Sequence, residues 1–161
     1  MGVRAVRAVV ECARELGIPY LTLYAFSLEN WGRPEQEIRT LMSLLQEFLR
    51  SELPELVRHG IRLRVIGDTS PLPLPVRHVL SRTMSSTADN TGMTLTLGLS
   101  YAGRNEIVRA ARALAADAAA GTIRPEAVTE EPFSSRLDTA GMPDPDLVIR
   151  TSGEFRISNF L

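Results

Sequence analysis

Apolar residues recur along this chain at two alternating periods, one helical and one extended. From Gly2 to Leu16, Val3, Val6, Val9, Val10 and Ala13 fall at helical spacing, with Arg4, Arg7, Glu11 and Arg14 on the other side. That predicts an amphipathic helix, closed by Gly17 and Pro19. Tyr20 to Phe26 (YLTLYAF) is rich in β-formers and predicts a strand. From Glu35 to about His59, Ile38, Leu41, Met42, Leu44, Leu45, Phe48 and Leu49 make a wide helical face. Pro34 suits the helix start, and Pro54 predicts a kink or a second helix after Ser51. Ile61 to Ile66 alternates apolar residues with Arg62 and Arg64, as expected of a strand at a sheet edge or with one exposed face. A helix from about Pro75 to Asp89 follows, then a strand from Met93 to Ser100 with Met93, Leu95, Leu97 and Leu99 on one face. An Ala-rich helix runs from Arg104 to Ala120, and Thr122 to Gly141 reads as a short helical segment among proline-broken loops. Leu147, Val148 and Ile149 predict a last, short, buried strand. Strands alternating with helices imply a parallel sheet with helical crossovers, in a single α/β domain over 1–161.

Composition narrows the function without naming it. Hydrophobic residues make up 44% and charged residues 23% of 161, which fits a globular chain with a real core. The net charge of −1 argues against nonspecific nucleic-acid binding, which needs a strongly basic face. Every one of the 18 basic residues is Arg, so a Lys nucleophile and a Walker-type Lys are both excluded. A lone Cys12 rules out an intramolecular disulfide and reads as a buried, inert thiol on the apolar side of the first helix. His59 and His78 are too few and too distant for a zinc site. Apolar runs fall short of the roughly 20 residues that span a membrane. A cytoplasmic protein is expected.

Two polar loops carry the candidate chemistry. After Leu147–Ile149 come Arg150, Thr151, Ser152, Gly153, Glu154, Arg156, Ser158 and Asn159. Guanidinium forks, hydroxyls and a glycine beyond a strand end make a plausible anion cradle; a surface loop whose arginines pair with Glu154 is an equal alternative. The other loop, Phe26 to Pro34 (FSLENWGRP), holds Glu29, Asn30 and Arg33 beside the large wall of Trp31. Taken alone, it reads more readily as a loop with Trp31 packed on the core and Glu29 near a helix N-terminus. Ser100 to Asn105 reads as a turn and helix start, and Asp68 as a turn cap. GxGxxG after a strand, GxxxxGK[ST], HExxH and GxSxG are absent. A phosphorylated ligand held by other means is the reading that survives.

Together, FSLENWGRP and RTSGEFRISNF (Arg150 to Phe160) resemble the cis-prenyltransferase family, whose bacterial type is undecaprenyl diphosphate synthase. VIGD (Val65 to Asp68), NTG (Asn90 to Gly92), SYAGR (Ser100 to Arg104) and PDPDLVIRTSGE (Pro143 to Glu154) fall in the same order, so the resemblance covers essentially the whole chain. It implies a parallel sheet flanked by helices around an apolar prenyl tunnel. The implied reaction is condensation of isopentenyl diphosphate onto an allylic diphosphate such as farnesyl diphosphate, with Mg2+ as cofactor. A polyprenyl product of undecaprenyl type, serving as a cell-wall lipid carrier, would then partition to the membrane. By the same resemblance Ser27, Glu29 and Asn30 serve catalysis, with Asn30 taking part in proton removal. Phe26, Trp31, Arg33, Arg150, Arg156 and Ser158 bind substrate. The apolar faces of Ile38 to Leu49 and Met93 to Leu99 would line the tunnel, with Met93 near its floor. Phe155 stands where many members carry His or Gln. A homodimer with peripheral membrane association is implied as well. The alternatives are a short-chain or irregular cis-prenyl diphosphate synthase, and a non-catalytic partner subunit.

The family's Asp-Gly-Asn-Gly-Arg-Trp loop, whose Asp carries magnesium, has no counterpart in this sequence, and neither does the segment after Ser-Asn-Phe. No residue here is therefore taken as a metal ligand. The expectation is an internal fragment of a longer synthase, inactive by itself.

Overall fold

A computed structural model describes residues 2–151, 153, 156–158 and 160, with side chains from residue 4 onward. It divides into two compact units, Met1–Ser100 and Tyr101–Leu161.

The first unit is built on a three-stranded sheet of order β1-β3-β2, with β1 Tyr20–Ser27, β2 Ile61–Ile66 and β3 Met93–Tyr101. β2 pairs parallel to β3 in the register Ile61↔Met93 to Ile66↔Gly98. On the other side, the Pro19 carbonyl accepts the Thr94 N–H at 2.8 Å, which sets the start of β1 beside the start of β3. Gly98 faces Tyr24 so closely that a Cβ there would lie 3.1 Å from Cδ2 of its ring. β2 is an edge strand, one of the two readings that its alternating arginines allow.

β3 is buried beyond the single face that its leucines suggest. Met93, Leu95, Leu97 and Leu99 are buried, and so are Thr96 and Ser100 between them. A central parallel strand covered on both sides has no polar face to show.

Around the sheet lie α1 Gly2–Glu15, α2 Glu35–Arg58 and α3 Leu74–Ser86. α2 packs along α3, and both pack on β2. Arg7 of α1 bonds the buried Glu52 of α2, its Nε lying 3.3 Å from Oε2. Pro54 neither breaks α2 nor starts a second helix. It sits on the exposed side, where water can satisfy the carbonyl that its missing N–H leaves free. Cys12 is exposed rather than buried, because the inward stripe of α1 runs through Val10 and Ala13 and misses it.

The second unit contains α4 Gly103–Ala119, a 3-10 turn Pro125–Ala127 and α5 Glu130–Ser134. Buried Glu106 of α4 accepts the Tyr101 hydroxyl on Oε2 at 2.5 Å and the Asp138 N–H on Oε1 at 2.7 Å. Asp138 in turn takes two bonds from Arg109, at 2.6 and 3.1 Å. These contacts tie the segment after α5 to α4. Leu147, Val148 and Ile149 form neither a strand nor part of a core: their exposures are 75, 55 and 77%. A strand exists only through a pairing neighbour, and three apolar residues in a row do not supply one.

Candidate functional site

The loop after β1 is a short 3-10 turn, Leu28–Gly32, entered from Ser27. Asn30 explains much of its shape. Its Oδ1 accepts the Ser27 N–H at 3.0 Å, the backward bond of a capping box, which satisfies a donor that the turn would otherwise leave open. Phe26, the last apolar residue of β1, is buried at 4% exposure. The Trp31 ring meets it edge to face with centroids 5.1 Å apart and packs against the core of the unit. The indole Nε1–H donates to Ser100 Oγ at 2.8 Å. Glu29 and Arg33 are exposed, Ser27 and Asn30 half-buried. Arg33 lies 3.7 Å from Glu37, one turn along in α2.

Phe26, Ser27, Glu29, Asn30, Trp31 and Arg33 therefore share one loop at the C-terminal end of a parallel strand, where open α/β sheets present ligand sites. The bland reading of Trp31 as a core residue holds as well, since the ring packs inward while its N–H is spent on Ser100. Close by, Tyr24 has its pKa raised above 10.0, first by burial and then by the Glu29 carboxylate; a hydrogen bond with Ser27 works in the opposite direction. The exposed acid of this loop thus acts on a phenol of the strand that carries it.

Asp68, after β2, accepts the Ser70 N–H on Oδ1 at 2.9 Å, so its carboxylate does cap a turn. The contribution of Ser100 is not legible in the sequence. It sits in a stretch that reads as an ordinary turn, and its partner Trp31 lies 69 positions away.

The arginine loop belongs to the second unit. Arg150, Arg156 and Ser158 are all exposed, and Arg150 Nη1 donates to Ser158 Oγ at 3.0 Å. Two of the three residues expected to hold a diphosphate are thus neighbours through a direct bond. The strand expected to present them is not formed. Ser152, Glu154, Phe155 and Asn159 lie outside the described residues. Among the described residues, no group of three or more His, Cys, Asp or Glu side chains gathers to hold a metal ion. No helix among them is long and apolar enough to cross a membrane.

Comparison with known proteins adds the relationship. The family model described as "Putative undecaprenyl diphosphate synthase" matches residues 1–161. An isoprenyl transferase of Rhizobium meliloti (strain 1021) is 53% identical over 160 residues, which are 99% of this chain and 65% of that protein. One of Clostridium perfringens (strain 13 / Type A) is 48% identical over 99% of this chain and 63% of its own length. This chain thus spans somewhat less than two thirds of the curated relatives it matches. The lavandulyl diphosphate synthase of Lavandula x intermedia, solved with dimethylallyl diphosphate, superposes with a TM-score of 0.95 at 39% identity, covering 99% of this chain and 69% of that one. A probable undecaprenyl diphosphate synthase from Campylobacter jejuni gives 0.85 at 33%, covering 98% and 73%. With a family match from end to end and identities near one half, the chain belongs to the undecaprenyl diphosphate synthase family.

Proposed function

We propose that this protein is a cis-prenyltransferase that condenses isopentenyl diphosphate onto an allylic diphosphate such as farnesyl diphosphate. The observation that carries the reading is the β1 loop. It gathers Ser27, Glu29, Asn30, Trp31 and Arg33 at a strand end, in a chain that belongs to this family throughout. In the reaction the allylic C–O bond breaks, a new C–C bond forms to isopentenyl diphosphate, and a proton leaves that substrate. Diphosphate departs with a growing negative charge, which guanidinium groups are suited to stabilise. Arg150, Arg156 and Ser158 are assigned to the isopentenyl diphosphate, with the Arg150–Ser158 bond pre-orienting two of them. Phe26, Trp31 and Arg33 are assigned to substrate contact. Ser27, Glu29 and Asn30 are assigned to the condensation step and the loss of the proton. The allylic cation needs apolar, water-poor surroundings, a role suited to the ring edge formed by Phe26 and Trp31.

Magnesium is the expected cofactor, and where bound it would supply positive charge to a diphosphate. The described side chains do not by themselves fit a magnesium site, since no three potential ligands converge. Undecaprenyl chain length, a cell-wall role, a homodimer and a cytoplasmic enzyme with peripheral membrane contact complete the proposal.

A second reading has its own support. The lavandulyl diphosphate synthase, solved with dimethylallyl diphosphate, is similar to 99% of this chain and is itself covered over 69%. A short-chain or irregular synthase would use the same loops with a shallower apolar site. Product analysis with labelled isopentenyl diphosphate and Mg2+ separates the two, using farnesyl or dimethylallyl diphosphate as acceptor. It is run on this chain and on the full product of its gene. Long polyprenyl diphosphates support the first reading, and short or branched products the second. No product from folded full-length protein with either acceptor overturns both and favours a non-catalytic partner subunit.

A further inference from the structure

The penultimate residue of β3 departs from strand geometry. Ser100 is 1% exposed and has φ +52°, in the left-handed region, which strains an L-residue. Two loops converge on it. Its Oγ accepts the Trp31 indole N–H at 2.8 Å, and its carbonyl accepts the Asp68 N–H at 3.4 Å. The loops that follow β1 and β2 are therefore joined to β3 at one side chain and one peptide. Glycine would adopt this φ freely but bring no acceptor for the indole. Serine bears the strain and supplies the acceptor that an inward-packed Trp N–H requires.

We propose that Ser100 is a positioning residue for the prenyl-transfer site: its hydroxyl fixes the Trp31 indole and, through it, the Leu28–Gly32 turn that carries Glu29 and Asn30. The inference rests on the cis-prenyl transfer reading and adds a residue to it. With the ring in contact with Phe26 and its N–H bonded to Ser100, the indole has one orientation to offer an allylic substrate. Displacements of about 1 Å at such a wall cost up to about a hundredfold in rate.

The test compares Ser100→Gly with Ser100→Ala in the full-length protein. Both remove the acceptor, but only glycine relieves the backbone. Thermal melts are expected to place the glycine variant at or above the parent and the alanine variant below it. Emission is read on the 161-residue chain, where Trp31 is the only tryptophan and reports the contact directly, and it is expected to shift in both variants. Turnover is expected to fall roughly tenfold or more in both, with the KM for isopentenyl diphosphate little changed. A merely structural role would make activity follow stability, so full activity in the glycine variant overturns the proposal. Unchanged emission in both variants also overturns it, because the hydrogen bond is then not made in solution. If the parent forms no prenyl product, the underlying reading fails and the positioning role fails with it. A shift in emission would still register the Trp31–Ser100 contact and separate that failure from the others.

Discussion

Replacing Thr87 with valine should loosen the edge of the sheet while leaving the core volume intact. Thr87 is fully buried at the end of α3. Its Oγ1 accepts the Leu63 N–H of β2 at 3.1 Å and donates to the Thr83 carbonyl at 2.9 Å. β2 is an edge strand, so the Leu63 N–H that points away from β3 has no strand to bond and relies on this hydroxyl. Valine keeps the shape and opens no cavity, but it strands a buried donor. The cost is about 1–3 kcal/mol. A value near 2 kcal/mol corresponds to roughly 4–8 °C in Tm for a chain of this size. It also corresponds to roughly thirtyfold faster exchange of the Leu63 amide through local opening. Thr87→Ser is the control: it keeps the hydroxyl and sheds one methyl, at about 1 kcal/mol. Amide exchange by NMR reads the bond itself and thermal unfolding reads its weight. If Thr87→Val leaves the Leu63 amide exchanging at the parent rate, or Thr87→Ser accelerates it equally, the hydroxyl is not its partner and the reasoning fails.

Three further outcomes are expected. Gly92→Ala should lose about 1–3 kcal/mol in a urea melt, because its Cβ would lie 3.0 Å from the Gly60 carbonyl oxygen and 3.3 Å from that of His59, neither of which can swing aside; a parent-like midpoint would show that the backbone yields there. Tyr24 should ionise above 10.0, so its contribution to stability is intact below about pH 10 and lost as pH rises through its folded value. Glu29→Gln removes one of the two causes and should draw the phenolate absorbance titration part of the way back; an unmoved midpoint would dismiss the Glu29 contribution. Met93→Ala, at a position 3% exposed where β3 begins, should cost about 2–5 kcal/mol. If Met93 also floors the prenyl site, the variant makes longer products, and an unchanged product distribution removes it from that role.

How far the candidate residues could be read in advance differed between the two polar loops. The Phe26–Pro34 loop was legible because its polar residues are contiguous and follow a strand of strong β-formers. The arginine loop was legible as a run of polar residues but not as structure. Arg150 and Ser158 do bond each other, yet the apolar run before them stays exposed and irregular. Cys12 misled for a related reason: one position off the inward stripe of a helix is enough to turn a side chain to solvent.

By itself the sequence determined what depends on near neighbours along the chain. The helical periods of α1 to α4, the strands β1 to β3 and the family motifs all rest on residues within one or two turns of one another. Tertiary structure alone decided the contacts between distant positions. Trp31 meets Ser100 across 69 positions, Thr87 serves Leu63 across 24, and Arg7 reaches Glu52 across 45. Periodicity records which side of an element is apolar, but not which element covers it or which polar atom waits there. A left-handed serine at the end of a buried strand, bearing local strain to accept one indole N–H, leaves no trace in a pattern of hydrophobic and polar residues.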